Sequence, residues 1–380
     1  MKILLVNCGY YPDKDAGSTR VTIFARMLKE LGHDPVVAAY NKFDNYSVEN
    51  INGIDYISLL PKMRDFKNSI KYVLDNKIVV PDVIWIYWAP LPAFIYLKNY
   101  AIKNKIQLVH DSVEWFSANG LKDKINYFYL ERIFTNKYVI NKKFKVIGIS
   151  SYLENYYSSK KIKSIRIPIL MDIKNYKVNK EYIKDDKIHL LYAGSPSRSK
   201  KSYKDDLKLV LSSMMALPKE VSSKFKFTII GINSQQIIEN YETNIDELDF
   251  EVEALGRISR EEVLNQLNKA HFTILIRDAN AVYAKAGFPT KVVESLMTGT
   301  PVICNLSSDL GLYLEDKVNS IIVKDNSINS LVASFTEISK LTQDEIEEIS
   351  TKSYETALSN FDYRLYNQLL GDFIGLDKGE

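Results

Sequence analysis

Apolar residues along the 380-residue chain gather in runs of strand length, and between the runs they recur every three to four residues. Ile3-Leu4-Leu5-Val6 predicts a buried strand over residues 2–7, and Val21, Phe24, Ala25, Leu28 and Leu31 repeat at helical spacing. Ser18 stands where this helix would take its N-cap. Further strands are predicted near residues 35–39, 54–59, 81–88, 106–110 and 146–151, with a helix near 66–75. A polar stretch over residues 174–187 lacks this pattern and reads as a linker. Beyond it the rhythm restarts, with strands at 188–193, 225–230, 250–252, 271–277 and 321–323, a helix near 261–268 and two amphipathic stretches toward the C-terminus. The repeated alternation of strand and helix predicts two doubly wound α/β units.

Length fits two domains better than one core. Hydrophobic residues make up 46% and charged residues 26%, ordinary for a globular protein, and a net charge of +3 gives no general case for binding nucleic acid. Cys8 and Cys304 sit at the ends of apolar runs and read as buried free thiols in a reducing compartment. His33, His110, His189 and His271 form no metal-ligand spacing with them, so no metal is expected. The apolar start is strand-length and runs into a polar loop, which does not suit a signal peptide, and no run reaches the roughly 20 apolar residues that span a bilayer. The first strand, loop and helix open a Rossmann-like domain without Gly-x-Gly-x-x-Gly, which disfavours a dehydrogenase.

The richest stretch in chemistry is Lys285-Ala286-Gly287-Phe288-Pro289-Thr290-Lys291-Val292-Val293-Glu294-Ser295, continuing to Gly299-Thr300-Pro301-Val302-Ile303. It reads as loop, helix, turn and strand. Pro289 suits the first helical position, Gly299 and Pro301 stop the helix, and about three turns lie between them. The preceding strand delivers Arg277 to the mouth of the same loop. A helix N-terminus carries unpaired N–H groups and about half a positive charge, and Lys291 adds to it, so a diphosphate suits this position. Glu294, one turn on, can accept bonds from both hydroxyls of a ribose. An ordinary βα unit with a surface lysine and glutamate fits the same local pattern.

Gly-Phe-Pro-Thr-Lys-x-x-Glu-Ser followed by Gly-Thr-Pro-Val-Ile resembles the donor-binding signature of glycosyltransferase family 4, the glycosyl transferases group 1. The resemblance implies a GT-B fold with two Rossmann-like domains facing a cleft, an N-terminal acceptor-side domain over residues 1–175 and a nucleotide-sugar domain over residues 185–360, the C-terminal segment 361–380 packing back on the first. It implies a retaining, metal-independent hexosyltransferase, without cofactor, that takes a UDP-sugar and serves a glycan or lipid-linked acceptor in surface polysaccharide synthesis. A cytoplasmic enzyme at the inner face of the membrane follows from that role. In this family two glutamates separated by seven residues flank the loop; Glu294 matches the second, and Ala286 stands at the first. A catalytically inactive partner subunit and a nucleotide-sugar epimerase are the rival readings.

The same resemblance marks further residues. Gly287, Phe288 and Thr290 belong to the donor loop, and Gly17 faces the cleft. His110 falls on the histidine placed near the donor sugar, with Lys201 and Lys291 as the catalytic cations. After the strand 188–193, Gly194 is followed by Ser195 where the family has arginine, so that Arg198 substitutes for it and Lys200 or Lys201 is the second diphosphate cation. Residues 255–259 pack their backbone on the base. Arg20, Asp111 and Glu114 are candidate acceptor contacts, Asp111 and Glu114 also candidate bases, Arg20 being equally readable as a solvated helix residue. Over residues 119–145, Leu121, Ile125, Phe128, Tyr129, Ile133 and Phe134 share a helical face beside many lysines; this is either a core-facing helix with a solvated basic side or a surface for an anionic membrane.

Overall fold

The computed structural model describes residues 1–12, 15–40, 46–60, 63–116, 125–183, 185–194 and 204–375. The chain forms two compact units, one of residues 1–172 joined by the segment from Tyr363 onward, the other Ile173–Asp362.

The first unit is built on strands β1 (Lys2–Tyr10), β2 (Asp34–Tyr40), β3 (Val48–Ile51), β4 (Ile54–Leu59), β5 (Val83–Trp88), β6 (Gln107–Ser112), β7 (Phe144–Gly148) and β8 (Lys163–Arg166). They lie in the order β3-β4-β2-β1-β5-β6-β7-β8, parallel except for β3. Successive strands run outward from β1 to one side and then from β5 to the other, so the topological switch lies between β1 and β5. β3 is absent from the predicted elements. Its Val-Glu-Asn-Ile is exposed and gives no apolar pattern; what holds it is a two-residue hairpin, with Asn52 and Gly53 both at positive φ (51° and 81°). The core lies away from this edge, where Ile3, Leu5, Phe24, Trp85 and Val109 pack between the sheet and helix Ala16–Glu30.

The chain's last described segment joins this unit. Leu370, Phe373 and Ile374 of helix Asn367–Ile374 enter the same core, the Tyr363 hydroxyl donates to Glu30 at 2.5 Å, and Lys145 Nζ donates to the Gly375 carbonyl at 2.8 Å. Residues 376–380 lie outside the described residues.

The second unit holds β9 (Ile188–Ala193), β10 (Phe225–Ile230), β11 (Glu251–Gly256), β12 (Phe272–Leu275), β13 (Val302–Cys304) and β14 (Ser320–Ile322), all parallel, in the order β11-β10-β9-β12-β13-β14. Its switch point falls between β9 and β12. Phe225, Phe227, Phe272, Ile274 and Ile303 fill its core with Leu331 and Phe335 of helix Ile328–Ile338. In an open parallel sheet the crevice at the carboxyl ends of the strands beside the switch is where ligands bind.

The polar stretch read as a linker is in part anchored. Lys180 Nζ donates to the carbonyls of Leu267 and Ala270, at 3.0 and 2.7 Å, and to Thr300 Oγ1 at 2.6 Å. These carbonyls lie at the end of helix Arg260–Lys269; Lys180 is a donor to Ala270 and a second donor to Leu267, which also accepts from Thr300 Oγ1 at 2.7 Å. Lys180→Met removes these three bonds and should destabilise the second unit by about 1–3 kcal/mol. An unchanged unfolding midpoint in a urea titration would contradict this role.

Candidate functional site

β9 ends at Ala193, and the chain continues from β12 through Ile276 to Arg277, so the switch point brings these two exits together. Arg277 is held by its backbone: its N–H donates to Asn305 Oδ1 at 2.9 Å and its carbonyl accepts from Asn305 Nδ2 at 2.8 Å. Asn305 is buried just after β13, and its side-chain amide extends the strand pairing by one residue. From this clamp Arg277 Nε donates to Asp205 Oδ1 at 2.8 Å.

Asp205 joins the site's charges. Its other oxygen takes a bond from Lys291 Nζ and one from the Tyr192 hydroxyl at 3.0 Å. Lys291 Nζ also lies 4.6 Å from the centre of the Tyr192 ring, within cation–π range. Burial alone would raise the Asp205 carboxyl; Lys291 and Arg277 outweigh it and hold the group well below the usual carboxylate range. Burial lowers the Lys291 ammonium, and Asp205 works against that. Asp205 immediately precedes Asp206, which caps helix Leu207–Met215 and donates its N–H to the Ile276 carbonyl at 2.8 Å. Backbone on both sides of the cluster is thus fixed to the exit of β12.

Helix Thr290–Met297 supplies Lys291 and Glu294. It is shorter than the three turns expected, and Pro289 is its N-cap rather than its first residue, with φ −77° and ψ 108°. Proline at that position has no side-chain oxygen to cap the amides that follow. Gly299 at φ 66° ends the helix, as the Gly-x-Pro pattern predicts. Glu294 is partly buried, and its carboxyl is 3.4 Å from Arg260. Burial raises its pKa, while Arg260 and Lys291 oppose the rise. Gly287 closes helix Val282–Ala286, and Thr290 is partly exposed. Phe288 is corrected: its ring lies 5.8 Å from both Tyr313 and Phe361 in the interior, so only its backbone can face a donor. Ala286 is fully buried.

Ser195, Arg198, Lys200 and Lys201 lie outside the described residues. Gly194, just before them, has no room for a side chain, because a Cβ there would press into both Lys291 Nζ and the Tyr192 hydroxyl. Among residues 255–259, Gly256 takes φ 65° and Ser259 caps helix Arg260–Lys269.

The first unit's candidates occupy the matching edge of its own sheet. β6 runs past His110 to Ser112. His110 is buried, its Nδ1 is 3.0 Å from the Ile86 carbonyl, and its ring meets Phe94 edge-on at 5.5 Å. Burial pushes its pKa down to about 4, so it is neutral at physiological pH, and the Ile86 carbonyl assigns the proton to Nδ1. Gly17 lies in the first turn of helix Ala16–Glu30, where a Cβ would come 2.7 Å from the Tyr87 hydroxyl. Asp15, not Ser18, is the N-cap; Ser18 completes a capping box from the third helical position.

Arg20 and Asp111 are corrected as acceptor contacts. They are 4% and 1% exposed, and the Arg20 fork is bidentate to Asp111, at 2.8 Å from Nε and 2.9 Å from an Nη. Its terminal nitrogens also donate to the carbonyls of Ile167 and Pro168. The pair is a closed scaffold between helix, sheet and the stretch after β8. Glu114 is exposed. Of the apolar residues read on one face of residues 119–145, Ile125, Phe128 and Phe134 are between 46% and 75% exposed, while Tyr129 and Ile133 are partly buried; Tyr127, Leu130 and Tyr138 are exposed beside them. Leu121 lies outside the described residues.

Sequence reading misses Asp205, Tyr192, Asn305 and the steric role of Gly194. Tyr192 falls within the strand predicted over residues 188–193, and for Asp205 the available signal is the need for an anion beside two cations.

Two Rossmann-like units of this topology define the GT-B class of glycosyltransferase folds, and solved structures agree. A sucrose-phosphate synthase from Thermosynechococcus elongatus superposes with a TM-score of 0.73 at 14% identity, covering 98% of this chain and 97% of that one. The Anabaena protein HepE, in complex with UDP and glucose, gives 0.69 at 14% identity, covering 98% of both chains. WaaG, a glycosyltransferase involved in lipopolysaccharide biosynthesis, gives 0.71 at 11% identity, covering 98% of this chain and 100% of that one. At such identities the likeness is one of fold. More particularly, residues 174–355 match the family described as Glycosyl transferases group 1, so the chain carries a group 1 glycosyltransferase domain that contains the whole Asp205 cluster. WcaL of Salmonella typhimurium, named for glycosyl transfer in colanic acid biosynthesis, is 23% identical over 155 residues; the match spans 40% of this chain and 37% of that relative.

Arg20→Leu would strand the Asp111 carboxylate in the interior. It should cost the first unit about 3–5 kcal/mol, measured by denaturant unfolding, with Asp111→Asn restoring part of the loss in the double variant. A cost below about 1 kcal/mol would show that the pair is not the scaffold described.

Proposed function

We propose that this protein is a retaining glycosyltransferase that moves a hexose from a nucleotide diphosphate sugar to a glycan or lipid-linked acceptor in surface polysaccharide synthesis. The observation that carries the reading is the gathering of Lys291, Arg277 and the first amides of helix Thr290–Met297 at the switch point of a group 1 glycosyltransferase domain. A diphosphate there meets two cations and the positive end of a helix. Glu294, one turn along, takes the ribose hydroxyls. UDP as the nucleotide is supported by HepE, solved with UDP and glucose, and the polysaccharide role by the names of WcaL and WaaG.

In this reading the bond from the anomeric carbon to the diphosphate oxygen breaks while negative charge builds on that oxygen. Lys291, Arg277 and the helix amides, with the cationic residues Arg198, Lys200 and Lys201, stabilise it without a metal and without any cofactor. The acceptor hydroxyl attacks from the face the diphosphate leaves, and its proton passes to the departing phosphate. No protein nucleophile is needed. The second unit holds the donor and the first serves the acceptor, with neutral His110 and Gly17 on its sheet edge.

The exposed aromatic face of helix Tyr127–Phe134 and the π-helical stretch Thr135–Val139 after it supports contact with an anionic membrane at the cytoplasmic side. Lys137, Lys142 and Lys143 are exposed beside it, and Glu131, the one carboxylate in that stretch, is buried. Apolar rings flanked by lysines suit a lipid surface that carries acceptor. No helix among the described residues is long and apolar enough to cross a membrane.

Turnover of a UDP-sugar panel should single out one donor, and Lys291→Ala should reduce its turnover about 10²- to 10³-fold, with EDTA having no effect. Absence of nucleotide binding in the intact protein would favour the inactive-partner reading. Phe128→Ser with Tyr138→Ser should abolish cosedimentation with phosphatidylglycerol vesicles and leave donor turnover in solution intact; vesicle binding equal to that of the unaltered protein would refute the membrane face.

A further inference from the structure

We propose that Asp205 is a positioning residue of the transfer reaction: one immobile carboxylate that sets Lys291 and Arg277 side by side, one on each oxygen, facing the donor diphosphate. The proposal rests on the donor reading of this site given above.

The geometry divides the work between the two oxygens. Arg277 meets Oδ1 through Nε, and among the described residues no bond from its terminal nitrogens to Asp205 is present. The fork thus meets Asp205 side-on, and among the described residues its terminal nitrogens have no hydrogen-bond partner, so they can take another anion. Lys291 meets Oδ2, which the Tyr192 hydroxyl also binds. An ammonium has three donors in all, so it can hold Asp205 and a phosphate oxygen at once. Asp205 itself is 7% exposed and cannot swing away: the next residue is tied to the Ile276 carbonyl and caps a helix. The Tyr283 hydroxyl holds the residue before it, donating to the Lys204 carbonyl at 2.9 Å. A carboxylate waiting to be displaced by substrate would need a mobile backbone or an unlocked side chain. Asp205 has neither.

Charge gives the second argument. Two cations brought together in a partly desolvated site repel each other, and desolvation favours loss of a proton from the lysine. Asp205 opposes both effects. Among the described residues, the groups that face Lys291 are Asp205, the Tyr192 hydroxyl, Arg277 and, on its own helix, Glu294. Arg277 pushes toward the neutral amine, as burial does; Asp205 and Glu294 favour the ammonium. With Glu294 directed to Arg260, Asp205 is the principal counter-charge. Without it Lys291 would titrate at lower pH and would lose its fixed direction. Tyr192 and Gly194 complete the device, one by locking the carboxylate and the other by leaving space for the ammonium.

The test compares Asp205→Asn, Asp205→Glu, Tyr192→Phe and Lys291→Ala in the full chain. Lysine labelled with 13C at Cε reports the Lys291 titration, its signal being the one missing in Lys291→Ala; donor turnover is followed with the UDP-sugar that the unaltered protein uses. In Asp205→Asn the Lys291 signal should titrate about one pH unit or more lower, the alkaline limb of kcat/KM should move down with it, and kcat should fall about 10²-fold. Asp205→Glu should restore part of both, and Tyr192→Phe should lower kcat with a smaller shift of the titration. Should Asp205→Asn or, if it fails to fold, Tyr192→Phe leave the Lys291 titration and kcat as they were, the proposal is overturned. Tighter UDP binding and faster turnover in Asp205→Asn would overturn it too, since Asp205 would then be a competitor of the substrate. Failure of the donor reading looks different: Lys291→Ala would keep full turnover while the Asp205→Asn titration shift persisted.

Discussion

The candidate site depends on one electrostatic arrangement, the sharing of the Asp205 carboxylate between Lys291 and Arg277. Like charges about 4 Å apart repel by about 4 kcal/mol at an effective dielectric constant near 20, a large fraction of the stability of a domain. A binding site for a diphosphate needs such a concentration of positive charge, yet the fold must hold it before the ligand arrives. A fixed carboxylate between the two cations resolves the conflict, leaving a net positive cluster with its donors already aimed. The topology puts it there: β9 and β12 are neighbours across the switch point, so Tyr192 and Lys291, 99 positions apart in sequence, share one crevice.

The first unit uses the same residue types to the opposite end. Arg20 and Asp111 also meet across a strand and a helix, but the guanidinium is bidentate and its terminal nitrogens are further engaged by backbone carbonyls. The fork has no free end for a ligand, and the pair serves as a buried strut beside the sheet edge. Arg277 engages its aspartate through Nε. The difference between a strut and a binding residue here is how many donors the fold consumes, which residue identity alone does not reveal.

Most of the architecture was legible because parallel strands buried on both faces give unbroken apolar runs and their helices give a 3.6-residue repeat. β3 escaped because an exposed edge strand has no such run, and only its Asn-Gly turn announced it. The donor loop was legible through Lys291, Glu294 and the glycine–proline helix stop. Its partners were not, since Asp205, Tyr192 and Asn305 acquire their roles only when β9, β12 and β13 are laid side by side. Phe288 misled because a residue in a signature loop can turn its ring inward, and the lysine-rich stretch leaves two readings open because periodicity identifies an apolar face without saying what covers it. Ile125, ahead of the helix, and Phe128 and Phe134 on it are exposed, while Tyr129 and Ile133 are partly buried.

The central claim is that the carboxyl edge of the second unit holds the nucleotide diphosphate. A crystal structure of the protein with UDP bound tests it most directly. The account predicts phosphate oxygens about 3 Å from Lys291 Nζ and from the first amides of helix Thr290–Met297, the ribose hydroxyls on Glu294, and Asp205 still in place between the two cations. UDP bound elsewhere on the molecule, or bound here with its phosphates away from Lys291 and Arg277, would contradict it.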